Sequence, residues 1–308
     1  MEPLVSIIIP HKNSINVLIN SLPVILEQDF DQPFEVIIVD SGSTDGSIRL
    51  IKNYLEKDTR LRLLEIEPDS FHHAKTRNLG IRHAKGRYVV FLNGDALPTH
   101  TTWLHNLVSP MMQDGNIVAT YGRQEPDIKA DINNLCRMTF NYGPEPLLKR
   151  GDSPLSVKDK YFFSSANCCI DSGRFEETLF DEKIPVNEDV VFSRKVLDLG
   201  HSIAYIPDAN VTHSHNLSPS EVFCRYFDNG AVYKKIGIIG KRGQSLNADG
   251  KKYLKHSLEV LKTKQPSDWL SFFVFSLFAV LGSKMGEYSS FFPKSFRKKI
   301  SRYAADIG

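Results

Sequence analysis

Three unbroken aliphatic runs, Val5–Pro10, Phe34–Asp40 and Tyr88–Asn93, recur along the first hundred residues with helix-sized amphipathic stretches between them. A run without polar alternation suits a strand covered on both faces, the situation of a parallel sheet held between helical layers. Arg62–Ile66 reads as a further strand. Helices are expected over about 14–28, 45–57 and 74–84, the second with Ser43, Thr44 and Asp45 as its N-cap cluster. Strands alternating with helices give an α/β fold with right-handed crossovers. Such sheets bind ligands at the carboxyl ends of their strands, and His11, Asp40 and Asp95 each fall at or just past such an end.

Further along, Ser164–Ile170 and Ser202–Pro207 read as strands. The stretch 124–160, rich in Pro, Gly and charge, reads as loop with little helix. Glu188–Leu199 reads as a helix stopped by Gly200, and Ser218-Pro219-Ser220-Glu221 is a capping box opening a helix to about 236. Residues 1–240 are therefore expected to form one catalytic domain and 241–308 a helical tail.

That tail differs in charge and hydropathy. The chain carries a net +2, yet 241–308 holds 13 Lys/Arg against 5 Asp/Glu, so the rest is net acidic. Trp269–Leu281 is almost wholly apolar, but about 13 residues fall short of the roughly 20 needed to span a bilayer. With Lys294, Arg297, Lys298 and Lys299 beyond it, the segment suits a helix lying at a membrane surface; packing on the domain or on a second subunit, as a homodimer, is the alternative. The N-terminus has no basic stretch leading into a long apolar one, so no signal peptide is expected. Cys136, Cys168, Cys169 and Cys224 follow no metal or disulfide spacing and fit a reducing compartment. The basic residues cluster around an apolar helix and not among stacking aromatics, which argues against nucleic acid.

Several polar residues invite a chemical reading beside a plainer one. Asp95 follows a buried strand, where it either starts a turn or holds a divalent cation that in turn holds a diphosphate. Asp40 either begins a Ser/Gly turn or hydrogen-bonds a nucleoside. His213 and His215, two apart on extended chain, share a face that is either an ordinary strand end or a metal site. Glu188 and Asp189 open a helix, where the dipole favours carboxylates whether or not they act on substrate. No GxGxxG, P-loop or GxSxG motif is present, which weighs against dehydrogenase, NTPase and serine hydrolase chemistry.

Taken in order, Ser6–Pro10, Val39–Asp45, Thr76–Gly80, Phe91–Pro98, Asn187–Asp189 and His213–His215 resemble the motif series of family 2 inverting glycosyltransferases. Phe71-His72 ahead of Thr76-Arg77-Asn78, Asp95–Pro98, and His213–Asn216 followed by Arg225–Asp228 resemble its rhamnosyltransferase-like branch. The resemblance implies a GT-A fold: a mostly parallel central sheet flanked by helices, with a C-terminal helical extension. It implies Pro10, His11, Asn13, Asp40, Ser41, Arg77, Asn93, Gly94 and Asp95 around the nucleotide-sugar, and Asp95 with His213 or His215 on Mg²⁺ or Mn²⁺. Asp189, beside Glu188, would be the base. Two departures stand out. Asp40-Ser41 replaces a pair of acids, and Asn93-Gly94-Asp95 keeps only the second acid of the usual Asp-x-Asp. The expected activity is transfer of a sugar, L-rhamnose from dTDP-rhamnose, to a hydroxyl of a glycan acceptor in cell-surface polysaccharide synthesis. The acceptor is expected to be lipid-linked and the enzyme peripheral at the cytoplasmic face of the membrane. A UDP-sugar donor, or a silent nucleotide-sugar-binding protein, is the rival expectation.

Overall fold

The computed structural model describes residues 2–175, 179–238, 246–301 and 303. The strands are β1 (Val5–His11), β2 (Phe34–Asp40), β3 (Leu61–Glu65), β4 (Tyr88–Leu92), β5 (Leu97–Pro98), β6 (Ile117–Glu125), β7 (Leu147–Lys149), β8 (Asn167–Asp171) and β9 (Ser202–Thr212). The helices before α7 are α1 (Ile15–Leu26), α2 (Ser47–Leu55), α3 (His73–His83), α4 (Trp103–Gln113), α5 (Ile132–Asn141) and α6 (Val157–Tyr161). After them come α7 (Glu188–Asp198), α8 (Pro219–Lys235), α9 (Leu246–Leu261), α10 (Pro266–Glu287) and α11 (Lys294–Ile300).

One mixed sheet runs in the order β3-β2-β1-β4-β8-β6-β9-β5, with β7 added to β9. Its first four strands are parallel, and their carboxyl ends form a common rim: His11 pairs in register with Asp40. Burial explains the unbroken apolar runs. In β1, Val5, Ile7 and Ile9 face the core shared with α1 and α4, while Ile8 faces the opposite core under α7. The second half of the sheet is antiparallel around β8, which pairs with β4 on one side and β6 on the other.

Several expectations change. The stretch 124–160 is not chiefly loop: it forms α5, β7 and α6. Asp131 caps α5 by accepting from the Asn134 amide, and Ile132 and Cys136 bury against Leu261 of α9 and Phe272 of α10. The N-cap position of α2 is Gly46 with φ 96°, and of the Ser43–Asp45 cluster it is Asp45 that reaches the helix start, its Oδ1 accepting from the Ser47 amide at 3.0 Å. Ser43 Oγ and Asp45 Oδ2 also accept from the Asn13 and Ile15 amides at 2.9 and 2.8 Å, stapling the β2–α2 loop to the β1–α1 loop. The apolar tail helix is 22 residues long, and by length and composition it could cross a membrane. A capping box at Gln265 and Asp268 starts it ahead of the apolar run, and Ser, Gly, Lys and Met carry it beyond.

One face of α10 is fixed on α8 at backbone distance. A Cβ on Gly282 or Gly286 would meet the Phe223 or Phe227 carbonyl oxygen at 2.4 or 2.1 Å, and one on Gly230 would meet the Ser283 oxygen at 2.3 Å. The opposite face presents Leu270, Phe273, Leu277 and Val280, each half or more exposed, at three- and four-residue spacing.

Candidate active site

The rim is built by the turn after β4. The Gly94 amide donates to the Pro10 carbonyl at 3.0 Å, and a Cβ there would sit 2.6 Å from His11 Nδ1 and 2.9 Å from Pro10 O. Only glycine lets the turn close against β1 so tightly, and that closure delivers Asp95 to the mouth of the sheet. Asp40 is buried and turned inward: Oδ1 accepts from the Gly42 and Ser43 amides at 2.9 and 2.8 Å, and Oδ2 from Ser43 Oγ at 2.5 Å. Ser41 ties its amide and hydroxyl to the His11 carbonyl at 3.0 and 3.2 Å. Asn13, at φ 47°, accepts from the Thr44 amide at 2.7 Å through Oδ1. His11 is buried with both ring nitrogens unpartnered among the described residues, and burial lowers its pKa against the pull of Asp40, Asp45 and Asp95.

Asp95, His213 and His215 converge. Their ligand atoms lie within 4.8 Å of one another, with Asp95 Oδ1 3.2 Å from His213 Nε2 and Oδ2 3.2 Å from His215 Nε2. The neighbours of His213 fix its tautomer. Gln124 Nε2 donates to Tyr142 Oη at 2.6 Å and to Ser164 Oγ at 2.7 Å, which turns Oε1 toward His213 Nδ1, 2.8 Å away. The proton therefore sits on Nδ1. In a neutral ring Nε2 is then the lone pair, buried and 3.2 Å from the Asp95 carboxylate. Two acceptors aimed at one point suit a cation between them. Burial, and next His213, lower the His215 pKa, keeping that ring neutral as a ligand must be.

Arg77, buried in α3, ties β4 to α7. Its Nη2 donates to Asn93 Oδ1 at 2.9 Å and its Nη1 to Glu188 Oε1 at 3.1 Å. The guanidinium thus occupies the amide oxygen of Asn93, and an Asp there would put a second charge beside Glu188. Glu188 also accepts from Ser165 Oγ at 3.3 Å. Asp189 is less enclosed: its Oδ2 accepts from the Ser165 amide at 3.3 Å and its Oδ1 from the Val190 amide at 2.9 Å. Burial, and next the Glu188 carboxylate, raise the Asp189 pKa above the usual range, against the pull of Ser165 and Arg77. Asn187, at φ 61°, sets the start of α7 and donates through Nδ2 to Asn229 Oδ1 of α8 at 3.0 Å.

Of the residues singled out in the sequence, Pro10, His11, Arg77, Asn93, Gly94 and Asp95 line one cleft, whereas Asp40, Ser41 and Asn13 shape the loops behind it. Phe71, His73, Lys12 and Ser14 complete the lining. Phe71 was legible within the branch motif; His73 and Gln124 carried no local signal.

The sequence profile described as "Glycosyl transferase family 2" matches residues 6–167. The O-antigen chain rhamnosyltransferase WbaN of Salmonella anatum is 29% identical over 305 residues, covering 98% of this chain and 95% of that protein. RfbN of Salmonella typhimurium, of the same description, is 29% identical over 97% of this chain and 94% of its own. Among solved structures, the mannosyltransferase PcManGT of Pyrobaculum calidifontis, in complex with GDP-Man and Mn²⁺, superposes with TM-score 0.57 at 18% identity, covering 100% of this chain and 86% of that one. TarS residues 1–349 of S. aureus superposes with TM-score 0.55 at 17% identity, covering 100% and 88%.

Proposed function

The chain belongs to glycosyl transferase family 2 and has its GT-A fold, and on that premise we propose that it transfers L-rhamnose from dTDP-rhamnose to a hydroxyl of a lipid-linked glycan, with inversion, in cell-surface polysaccharide synthesis. The observation that carries the reading is the pairing of Asp95 with the bare Nε2 of His213 at the carboxyl ends of the parallel strands. The names of the full-length Salmonella relatives support the donor and the pathway.

In this reading Asp95 and His213, with His215 beside them, hold Mg²⁺ or Mn²⁺. A divalent cation there supplies positive charge to a leaving diphosphate. Pro10, His11 and the Asn13, Asp40 and Ser41 loops form the nucleoside side of the cleft. Arg77 adds charge at the nucleotide end while holding Asn93 and Glu188 in place. Asp189 takes the proton of the acceptor hydroxyl as it attacks, and its raised pKa makes it a better base than an ordinary carboxylate. Glu188 acts through Arg77 and Asp189.

The exposed apolar stripe of α10 and the basic residues of α11 fit the cytoplasmic face of a membrane bearing anionic lipid, where a lipid-linked acceptor resides. In this reading the helix lies along that surface, with its glycine face held by α8 and its apolar stripe turned to the lipid. Vesicles with anionic lipid should bind the protein, and Lys298→Glu with Lys299→Glu should abolish most of that binding; equal binding to neutral vesicles overturns the surface reading.

A thermal-shift panel of dTDP-rhamnose, UDP-GlcNAc, UDP-galactose and GDP-mannose, with and without Mn²⁺, tests the donor. The largest shift should come from dTDP-rhamnose and require the metal. A larger shift with a UDP-sugar overturns the rhamnose assignment, and no shift with any donor overturns the enzyme site.

A further inference from the structure

We infer that Tyr303, at the far end of the chain, completes the wall of the donor cleft by fixing the position of His73. This rests on the cleft reading proposed above. His73 lines the cleft with Phe71 and Arg77. Its carbonyl accepts from Arg77 Nη1 at 3.3 Å, and its ring stands edge-on to Phe71 with centroids 5.1 Å apart. The Tyr303 hydroxyl lies 3.1 Å from His73 Nε2, and the two rings meet edge-on at 6.2 Å. Burial, against the opposing pull of Glu188, drives His73 down to about 4, so the imidazole is neutral in the cell and hydrogen-bonds the phenol without a charge.

The reach of Tyr303 across 230 positions is built into the fold. The glycine contact fixes α10 on α8, and α11 returns along α8. Ser301 Oγ then donates to the buried Asp228 of α8 and accepts from the Tyr303 amide at 3.0 Å. One serine hydroxyl anchors the strap and aims the tyrosine. A neutral imidazole deprived of its Nε2 partner can turn among its rotamers; held by Tyr303, it presents a fixed edge to a nucleoside-diphosphate sugar.

Steady-state kinetics and thermal unfolding of full-length variants test this, using the donor selected by the panel above, dTDP-rhamnose on the reading proposed. Tyr303→Phe keeps the ring and removes the hydroxyl. It should raise donor KM roughly threefold to tenfold, the scale of one hydrogen bond, with kcat within about twofold and no change in unfolding temperature. In a His73→Phe background the same substitution should add nothing, because the partner is already gone. An unchanged donor KM in Tyr303→Phe overturns the proposal, as does a rise that persists in full without His73. Asp95→Ala is the control: if it too leaves donor KM unchanged, the cleft assignment falls as well; if it raises KM, only the role of Tyr303 is lost.

Discussion

Asp95 Oδ1 and His213 Nε2 stand 3.2 Å apart, while the Nδ1 edge of the same imidazole is held 2.8 Å from Gln124 Oε1 on the far side. With a neutral His213 the two facing atoms are both acceptors, an arrangement that suits a cation between them.

On the proposed metal reading, Gln124 would set metal affinity without touching the metal. Gln124→Leu should weaken Mn²⁺ binding about 10- to 100-fold, the usual effect of losing an orienting partner, while Gln124→Glu should retain it by still accepting from Nδ1. Calorimetric titration with Mn²⁺ reads this directly. Equal affinity in the leucine variant would sink the tautomer argument.

Asp189→Asn should abolish transfer and spare nucleotide binding. In the wild type, the base works only when ionised, so kcat should fall as pH drops through a value above the ordinary carboxylate range. The stability sign is opposite to that of a salt-bridged acid. A folded-state pKa above the unfolded one means the folded protein holds its proton longer, so stability declines as pH rises from about 4 through the raised pKa. Asp189→Asn should accordingly unfold at the same or a higher temperature than wild type at pH 8. A lower unfolding temperature with normal turnover removes Asp189 from the reaction.

Arg77→Met leaves Glu188 buried without its partner, at a cost of about 3–5 kcal/mol. Arg77→Met with Glu188→Gln should recover part of that loss, since the uncompensated charge is gone. Urea unfolding of the two variants checks the order; a double variant no more stable than the single one would mean the ion pair is not what holds α3 to α7.

The α8–α10 contact permits no side chain at its closest points. Gly286→Ala brings a methyl within 2.1 Å of the Phe227 carbonyl and should cost about 1–3 kcal/mol. Gly143→Ala, which meets nothing within 4 Å, is the control. Thermal unfolding should separate the two, and comparable curves would mean the helices can part freely.

The parallel half of the sheet is legible because burial on both faces writes itself into β1, β2 and β4 as mostly apolar runs without polar alternation, Ser6 and Glu35 being isolated exceptions. Strand β6 is not: Thr120, Gly122, Arg123 and Gln124 break the run, with Thr120 bonding the Leu107 carbonyl, Gly122 closing on Ala209 and Gln124 holding His213. Helix α5 hides in a polar segment because its apolar face is matched by α9 and α10, more than a hundred residues later. At the site, Asp95, His213 and His215 stand out as polar residues at strand ends. Glu188 does not reveal that its charge is engaged by Arg77, 111 positions earlier, and nothing near Tyr303 points to His73. Local pattern records the environment of a residue and not the identity of its partner.

The position of β8 has a consequence for synthesis. Both neighbours of β6, namely β8 and β9, lie after it in the chain. While β1 to β4 can assemble as they leave the ribosome, β6 waits with two open edges until residues 167–212 have emerged. A more uniformly apolar strand in that position would leave two sticky edges open for the whole of that interval.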